Sequence, residues 1–169
     1  MRDITAVAAA LPGVRVEGRV LAVEAGGVPA AVEGIRKLGC FMLFDITCVD
    51  RPAASGEGVA PVYPACFEVA WRFMDLQESP KELLTLRTFL DRADPSVASV
   101  VGIYKSADVL EREVWDLMGI RFTGRGKVER ILCRDDFEGH PLRKDYVIQK
   151  RDRFPDEAKA AADSAGSAS

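Results

Sequence analysis

Apolar positions along this chain change their period several times, and each change marks an element. Ile4–Leu11 is alanine-rich and suits a short helix, stopped by Pro12-Gly13. Val14–Val16 and Arg19–Ala25 read as strand segments around Glu17-Gly18, and Gly26-Gly27 breaks the run. Pro29 suits a first helical turn, and Val28, Val32, Ile35 and Leu38 keep helical spacing until Gly39. Phe41–Val49 is almost continuously apolar, interrupted by Asp45 and Thr47, which predicts a central strand. In Ala65–Asp75, Phe67, Val69, Trp71 and Phe73 share one face, and Glu68 and Arg72 the other. Leu83–Leu90 returns after a turn at Gln77-Glu78-Ser79-Pro80, so the two read as a hairpin. Asp94-Pro95 turns the chain again, and Val97–Tyr104 reads as a short strand.

A second amphipathic helix is predicted from Asp108 to Gly119. Asp108 is placed as its N-cap, and Glu111 stands three residues on, at capping-box spacing. Leu110, Val114, Leu117 and Met118 form its buried stripe, with Glu111, Arg112 and Asp116 outside that stripe. Gly119 suits the left-handed residue that ends a helix. Ile120–Tyr146 has no sustained period but carries Phe122, Val128, Ile131, Leu132, Phe137, Leu142 and Tyr146. A segment that apolar is not a solvated tail; it reads as an extended strap lying against something. The order of elements implies an α+β fold: a mixed, mostly antiparallel sheet with helices on one face, followed by the strap. The expected divisions are 1–118 for the domain, 119–148 for the strap and 149–169 for a disordered tail rich in Ala, Ser and charge. The low-complexity stretch between Asp50 and Pro64 is expected to be a surface insertion.

Composition narrows the chemistry. At 169 residues and 48% hydrophobic content the chain can bury one domain-sized core, and a net charge of -3 argues against a nucleic-acid footprint. No apolar run approaches ~20 residues, so no membrane-spanning helix is expected, and the start Met-Arg-Asp-Ile-Thr has no export signal pattern. Cys40, Cys48, Cys66 and Cys133 are scattered, with no C-x-x-C pair to suggest a zinc site or iron–sulfur cluster. No Gly-rich nucleotide signature occurs. Glu111 and Glu113 lie two apart on a helix and point about 200° apart, so they cannot serve one acid/base cavity. His140, the single histidine, has no Cys or Ser beside it to activate. Eight acidic and eight basic residues are interleaved within Glu111–Tyr146, a balance that suits geometry-fixing ion pairs, within the chain or across an interface, or simply a solvated loop.

Two stretches carry a resemblance. LEREVWDLMGI (Leu110–Ile120) and EGHPLRKDY (Glu138–Tyr146) are similar to the two signatures of one family. That family is the 30-kilodalton-type (C-type) subunit of respiratory complex I and its relatives, the proton-pumping NADH:quinone oxidoreductases. DITCVDRP (Asp45–Pro52) and CFEVAWRF (Cys66–Phe73) resemble that family's strand pair, and the likeness runs from Val14 to Tyr146. Where the family has a Gly-His-Pro step, this chain reads Gly124-Arg125-Gly126, and Glu129 replaces the first of a paired Arg. The resemblance implies a peripheral subunit on the cytoplasmic face of the inner membrane, with no catalytic residue, cofactor or metal of its own. FMN, iron–sulfur clusters and quinone would belong to partner subunits, among them the large 49-kDa-type subunit that forms the cluster and quinone site. Related subunits in membrane-bound hydrogenases and formate hydrogenlyases are the alternative; a stand-alone enzyme using His140 and carboxylates is a remoter one. The matched positions, Glu111, Arg112, Glu113, Asp116 and Gly119 in the first signature and Gly139, His140, Pro141, Leu142, Arg143, Lys144, Asp145 and Tyr146 in the second, are the expected partner interface. Arg112, Arg143 and Lys144 are expected to fix the strap and its partner, with Pro141 holding the backbone extended.

Overall fold

The computed structural model describes residues 3–39, 41–51, 65–77 and 83–147. Within these, α1 (Ile4–Ala9), β1 (Arg15–Glu17), β2 (Val20–Ala22), α2 (Val28–Lys37), β3 (Phe41–Arg51), β4 (Cys66–Asp75), β5 (Leu83–Asp91), β6 (Ser96–Ala98), α3 (Ala107–Met118) and β7 (Arg121–Thr123) follow in order. The turn proposed at 78–80, most of the 50–64 insertion and the 149–169 tail lie outside the described residues.

The main sheet has the order β1-β2-β5-β4-β3. The pairs β1–β2, β3–β4 and β4–β5 are antiparallel, and β2–β5 is parallel. The expected α+β, mostly antiparallel architecture is therefore present. Phe67, Val69, Trp71 and Phe73 of β4 join Leu86 and Leu90 of β5 in a core shared with Val28, Val32 and Ile35 of α2 and Val114 and Met118 of α3. The opposite face carries a row of charge. Glu17, Arg87, Glu68 and Arg51 alternate in sign across β1, β5, β4 and β3, with N–O distances of 2.5, 3.3 and 2.5 Å between successive partners. Opposite charges on neighbouring strands support the pairing and need no helix above them.

Three details depart from the sequence reading. Phe41–Val49 is apolar enough for a central strand, but β3 is an edge strand. Its outer side is screened by the approach to α3: Tyr104 Oη donates to the Phe41 carbonyl (3.3 Å) and Ser106 Oγ to that of Leu43 (3.4 Å). The strand predicted over Val97–Tyr104 stops at Ala98, because Ile103 and Tyr104 both turn back to the Val100 carbonyl at 2.9 Å. The stretch after α3 is not wholly irregular either. Arg121–Thr123 is a short strand, parallel to β6 with Val97 opposite Phe122, which extends sheet structure past residue 118.

Candidate functional site

The two sequence signatures meet at α3. Its N-cap is Ser106, not Asp108, and Glu111 takes no part in a capping box. Glu111 is instead fully buried at 0% exposure. Its carboxylate accepts from Ser99 Oγ (2.7 Å), the Val100 amide (2.8 Å) and Arg125 Nη1 (2.9 Å). Arg125 also pairs with Asp108, so the residue that replaces the family's histidine step closes a buried acid–base cluster on the first turns of α3.

Asp116 is likewise 0% exposed. One oxygen accepts three successive amides, Ile131 (3.0 Å), Leu132 (2.8 Å) and Cys133 (2.8 Å), and the other accepts Arg130 Nη1 at 2.5 Å. Burial by itself raises this carboxyl's pKa. The amides of Cys133, Leu132 and Ile131, with Arg130, overcome that and hold it well below the usual carboxylate range. Arg130 reaches onward, donating Nη2 to the Phe137 (2.7 Å) and Gly139 (3.1 Å) carbonyls, and its guanidinium lies over the Trp115 and Phe137 rings at 5.6 and 5.7 Å. The sequence reading put Glu111 and Asp116 outside the helix's buried stripe, which holds only for a helix covered on one side. The strap covers a second side, and these two carboxylates are its anchors.

An α-helix leaves its last carbonyls without intrahelical donors. In α3 Gly119 supplies one and the second signature supplies the others. Gly119 N–H caps Trp115 (2.8 Å), His140 Nδ1 donates to Asp116 O (3.0 Å), the Leu142 amide to Leu117 O (3.1 Å) and Arg143 Nε to Met118 O (2.7 Å). Because a carbonyl can only accept, His140 carries its hydrogen on Nδ1. Its ring is set edge-to-face with Trp115, centroids 6.2 Å apart, and burial, with Arg143 and Arg130 nearby, lowers its pKa. Gly119 is left-handed (φ 71°), and a Cβ there would fall 2.5 Å from His140 Cδ2 and 2.7 Å from Arg143 Nη2. Gly119→Ala is therefore expected to cost about 2–4 kcal/mol through left-handed strain and overpacking, read as a drop in the urea midpoint at unchanged slope.

The remaining signature positions divide in two. Arg112 donates to the Glu129 and Arg130 carbonyls, both at 3.2 Å, and the Lys144 amide donates to Asp50 Oδ2 at 2.8 Å. Asp50, nearly buried at the end of β3, also binds Arg92, which reaches Asp145 at 3.1 Å. Tyr146 stacks on Phe137 at 5.9 Å and lies against Gly139 (φ 82°). Arg112 and Arg143 thus act within the chain. Glu113 and the side chains of Leu142 and Lys144 face outward, and Pro141 is half-buried. Local bonds from Arg143 N to His140 O and Tyr146 N to Arg143 O make the strap's end a series of tight turns rather than an extended run. Asp50, Arg92, Arg125 and Arg130 were not singled out from sequence as site residues. Asp50, Arg92 and Arg130 stand beside apolar runs, whereas Arg125, between two glycines, has no such signal.

Chemically the site is a clasp. His140 is engaged with a backbone carbonyl, and no group of three or more His, Cys, Asp or Glu suited to a metal occurs among the described residues. Burial pushes the Cys48 thiol up to about 12, away from nucleophilic chemistry. Acid should loosen the clasp in two steps. With His140's folded pKa below the ordinary ~6.5, the unfolded chain takes up the proton first, so stability falls as pH drops below ~6.5 toward the folded value. Asp116, also depressed, contributes fully above the ordinary ~3.9 and loses its contribution as pH falls further. Unfolding free energy measured from pH 7 to 5 should decline in the native chain and flatten in His140→Asn.

Comparison with known proteins places the chain that carries this clasp. The family model described as respiratory-chain NADH dehydrogenase, 30 Kd subunit, matches residues 21–152. The chain belongs to this family. Among relatives, the C-type subunit of NADH-quinone oxidoreductase from Moorella thermoacetica is 39% identical over 113 residues, 67% of this chain and 68% of that protein. The combined C/D-type subunit of the same oxidoreductase from Chromohalobacter salexigens is 39% identical over 114 residues, 68% of this chain but 19% of that much longer protein. A chain in the structure of the membrane-bound sulfane sulfur reductase, an archaeal respiratory membrane complex, shares the fold with a TM-score of 0.68 at 21% identity, over 90% of this chain and 95% of that one. The family match takes in α3, β7 and the described strap.

Proposed function

We propose that this chain is a cofactor-free peripheral subunit of a proton-pumping NADH:quinone oxidoreductase, seated on the cytoplasmic side of the membrane. It holds the large subunit that forms the cluster and quinone site in register with its neighbours. The observation that carries this is the clasp itself. Two fully buried carboxylates and the whole C-terminal end of α3 serve to fix an otherwise irregular strap on the domain surface. Burying charge costs desolvation that only close pairing and hydrogen bonds offset, and here most of those partners come from the strap. Further support comes from the relative whose name joins the C and D types in one protein, as expected if the two parts work side by side. Among the described residues no helix is long and apolar enough to cross a membrane, in keeping with attachment through partners.

Affinity isolation of the tagged full-length chain from detergent-solubilised membranes tests this. A flavin-bearing NADH subunit and a cluster-bearing large subunit should come with it. A nickel-bearing companion would move the chain to the hydrogenase relatives. Turnover by the isolated chain that His140→Ala abolishes would replace the proposal with a stand-alone enzyme.

A further inference from the structure

The clasp fixes more than its own backbone. Asp116 draws the amides of Ile131, Leu132 and Cys133 inward, yet Ile131 and Leu132 remain 38% and 61% exposed. The Leu142 amide is tied to Leu117 O, one residue along α3, and its side chain is 56% exposed. Two branched apolar groups are thus anchored to successive residues of one helix turn and held out into solvent. In a chain acting alone, the same backbone bonds could be made with polar side chains at these positions.

The charges around them are sorted. The guanidinium groups of Arg112, Arg130 and Arg143 turn to carbonyls and to Asp116. Around them Glu129, Asp135, Asp136, Glu138 and Asp145 stay exposed, against Lys127, Arg134 and Lys144, so acids outnumber bases. The outer rim is therefore predominantly acidic. A rim of that sign repels an anionic lipid surface and suits a protein socket edged by Arg or Lys.

We infer that Leu132 and Leu142, with Ile131 beside them, are the side chains that enter the neighbouring subunit. Asp116 and Arg130 are positioning residues that aim them. The occupant is the large partner subunit of the proposed function, on which this inference rests, offering apolar sockets bordered by basic groups. The charged signature residues hold the strap; the leucines make the contact.

The test uses the tagged full chain in cells that carry the whole assembly. A photo-reactive side chain is placed at 132, at 142 or, as control, at the exposed Leu83 of β5. In parallel, both leucines are changed together, Leu132→Ser with Leu142→Ser. Crosslinks from 132 and 142 to the large subunit, absent at 83, are expected. The double variant should recover at least about tenfold less of that subunit at an unchanged level of soluble chain, as truncating central contact residues does. If the wild-type chain recovers no large subunit, the subunit reading itself fails. If the wild type recovers it and the double variant does equally well, or if crosslinks from 132 and 142 go to lipid or are no more frequent than from 83, this inference fails alone. Should the double variant not accumulate, the crosslinks decide.

Discussion

Asp116→Ala is expected to lower the chain's stability by about 3–5 kcal/mol, the range for removing one partner from a buried charged network. The change leaves the amides of Ile131, Leu132 and Cys133 without their acceptor, and Arg130 with backbone carbonyls but no counter-charge. Urea unfolding of the full chain measures the loss. Limited proteolysis should show new cleavage within the strap before the sheet is attacked. Asp116→Asn keeps one oxygen but removes the charge, so it should fall between the two. An alanine variant within about 1 kcal/mol of the native chain would mean that the strap is not held by this carboxylate.

The second large effect belongs to Glu111. Glu111→Ala leaves Arg125, which is 8% exposed, with only the half-exposed Asp108 as counter-charge, and removes the acceptor for Ser99 Oγ and the Val100 amide. The expected cost is again about 3–5 kcal/mol. Arg125→Leu alone leaves a buried carboxylate with neutral donors only, and should also be severe. Changing both, Glu111→Leu with Arg125→Leu, should cost clearly less than the two added together, since neither charge is left unpaired. Strict additivity in that cycle would show that the two side chains do not depend on each other.

Much of the architecture was legible from short-range pattern. The hairpin of β4 and β5 followed from alternation at Phe67, Val69, Trp71 and Phe73, and α2 from Val28, Val32 and Ile35 ended by Gly39. What pattern misread depended on distant neighbours. β3 looked central because its apolar run reports covering from any source, and Tyr104 and Ser106 supply it from beyond the sheet. β6 and β7 are three residues each and pair in parallel across α3, too short and too far apart for periodicity to register. Glu111 and Asp116 looked solvent-facing because a helical wheel has no way to show a strap returning over its polar side. The signature positions were visible as a group, but the division between residues that hold the strap and residues that face outward came only with the hydrogen bonds. Arg112 and Arg143 turned out to act inward, whereas Leu132, outside both signatures, is among the most exposed apolar side chains.

Both the proposed subunit role and the outward leucines require that the strap is part of the folded domain before any partner arrives. Amide hydrogen exchange on the full-length chain measures this at the decisive positions. The amides of Ile131, Leu132, Cys133, Leu142 and Lys144 are expected to exchange slowly, and those of Ile131, Leu132 and Cys133 to become fast in Asp116→Ala. Exchange of all five at the rate of an unprotected loop in the native chain would contradict the clasp and everything built on it.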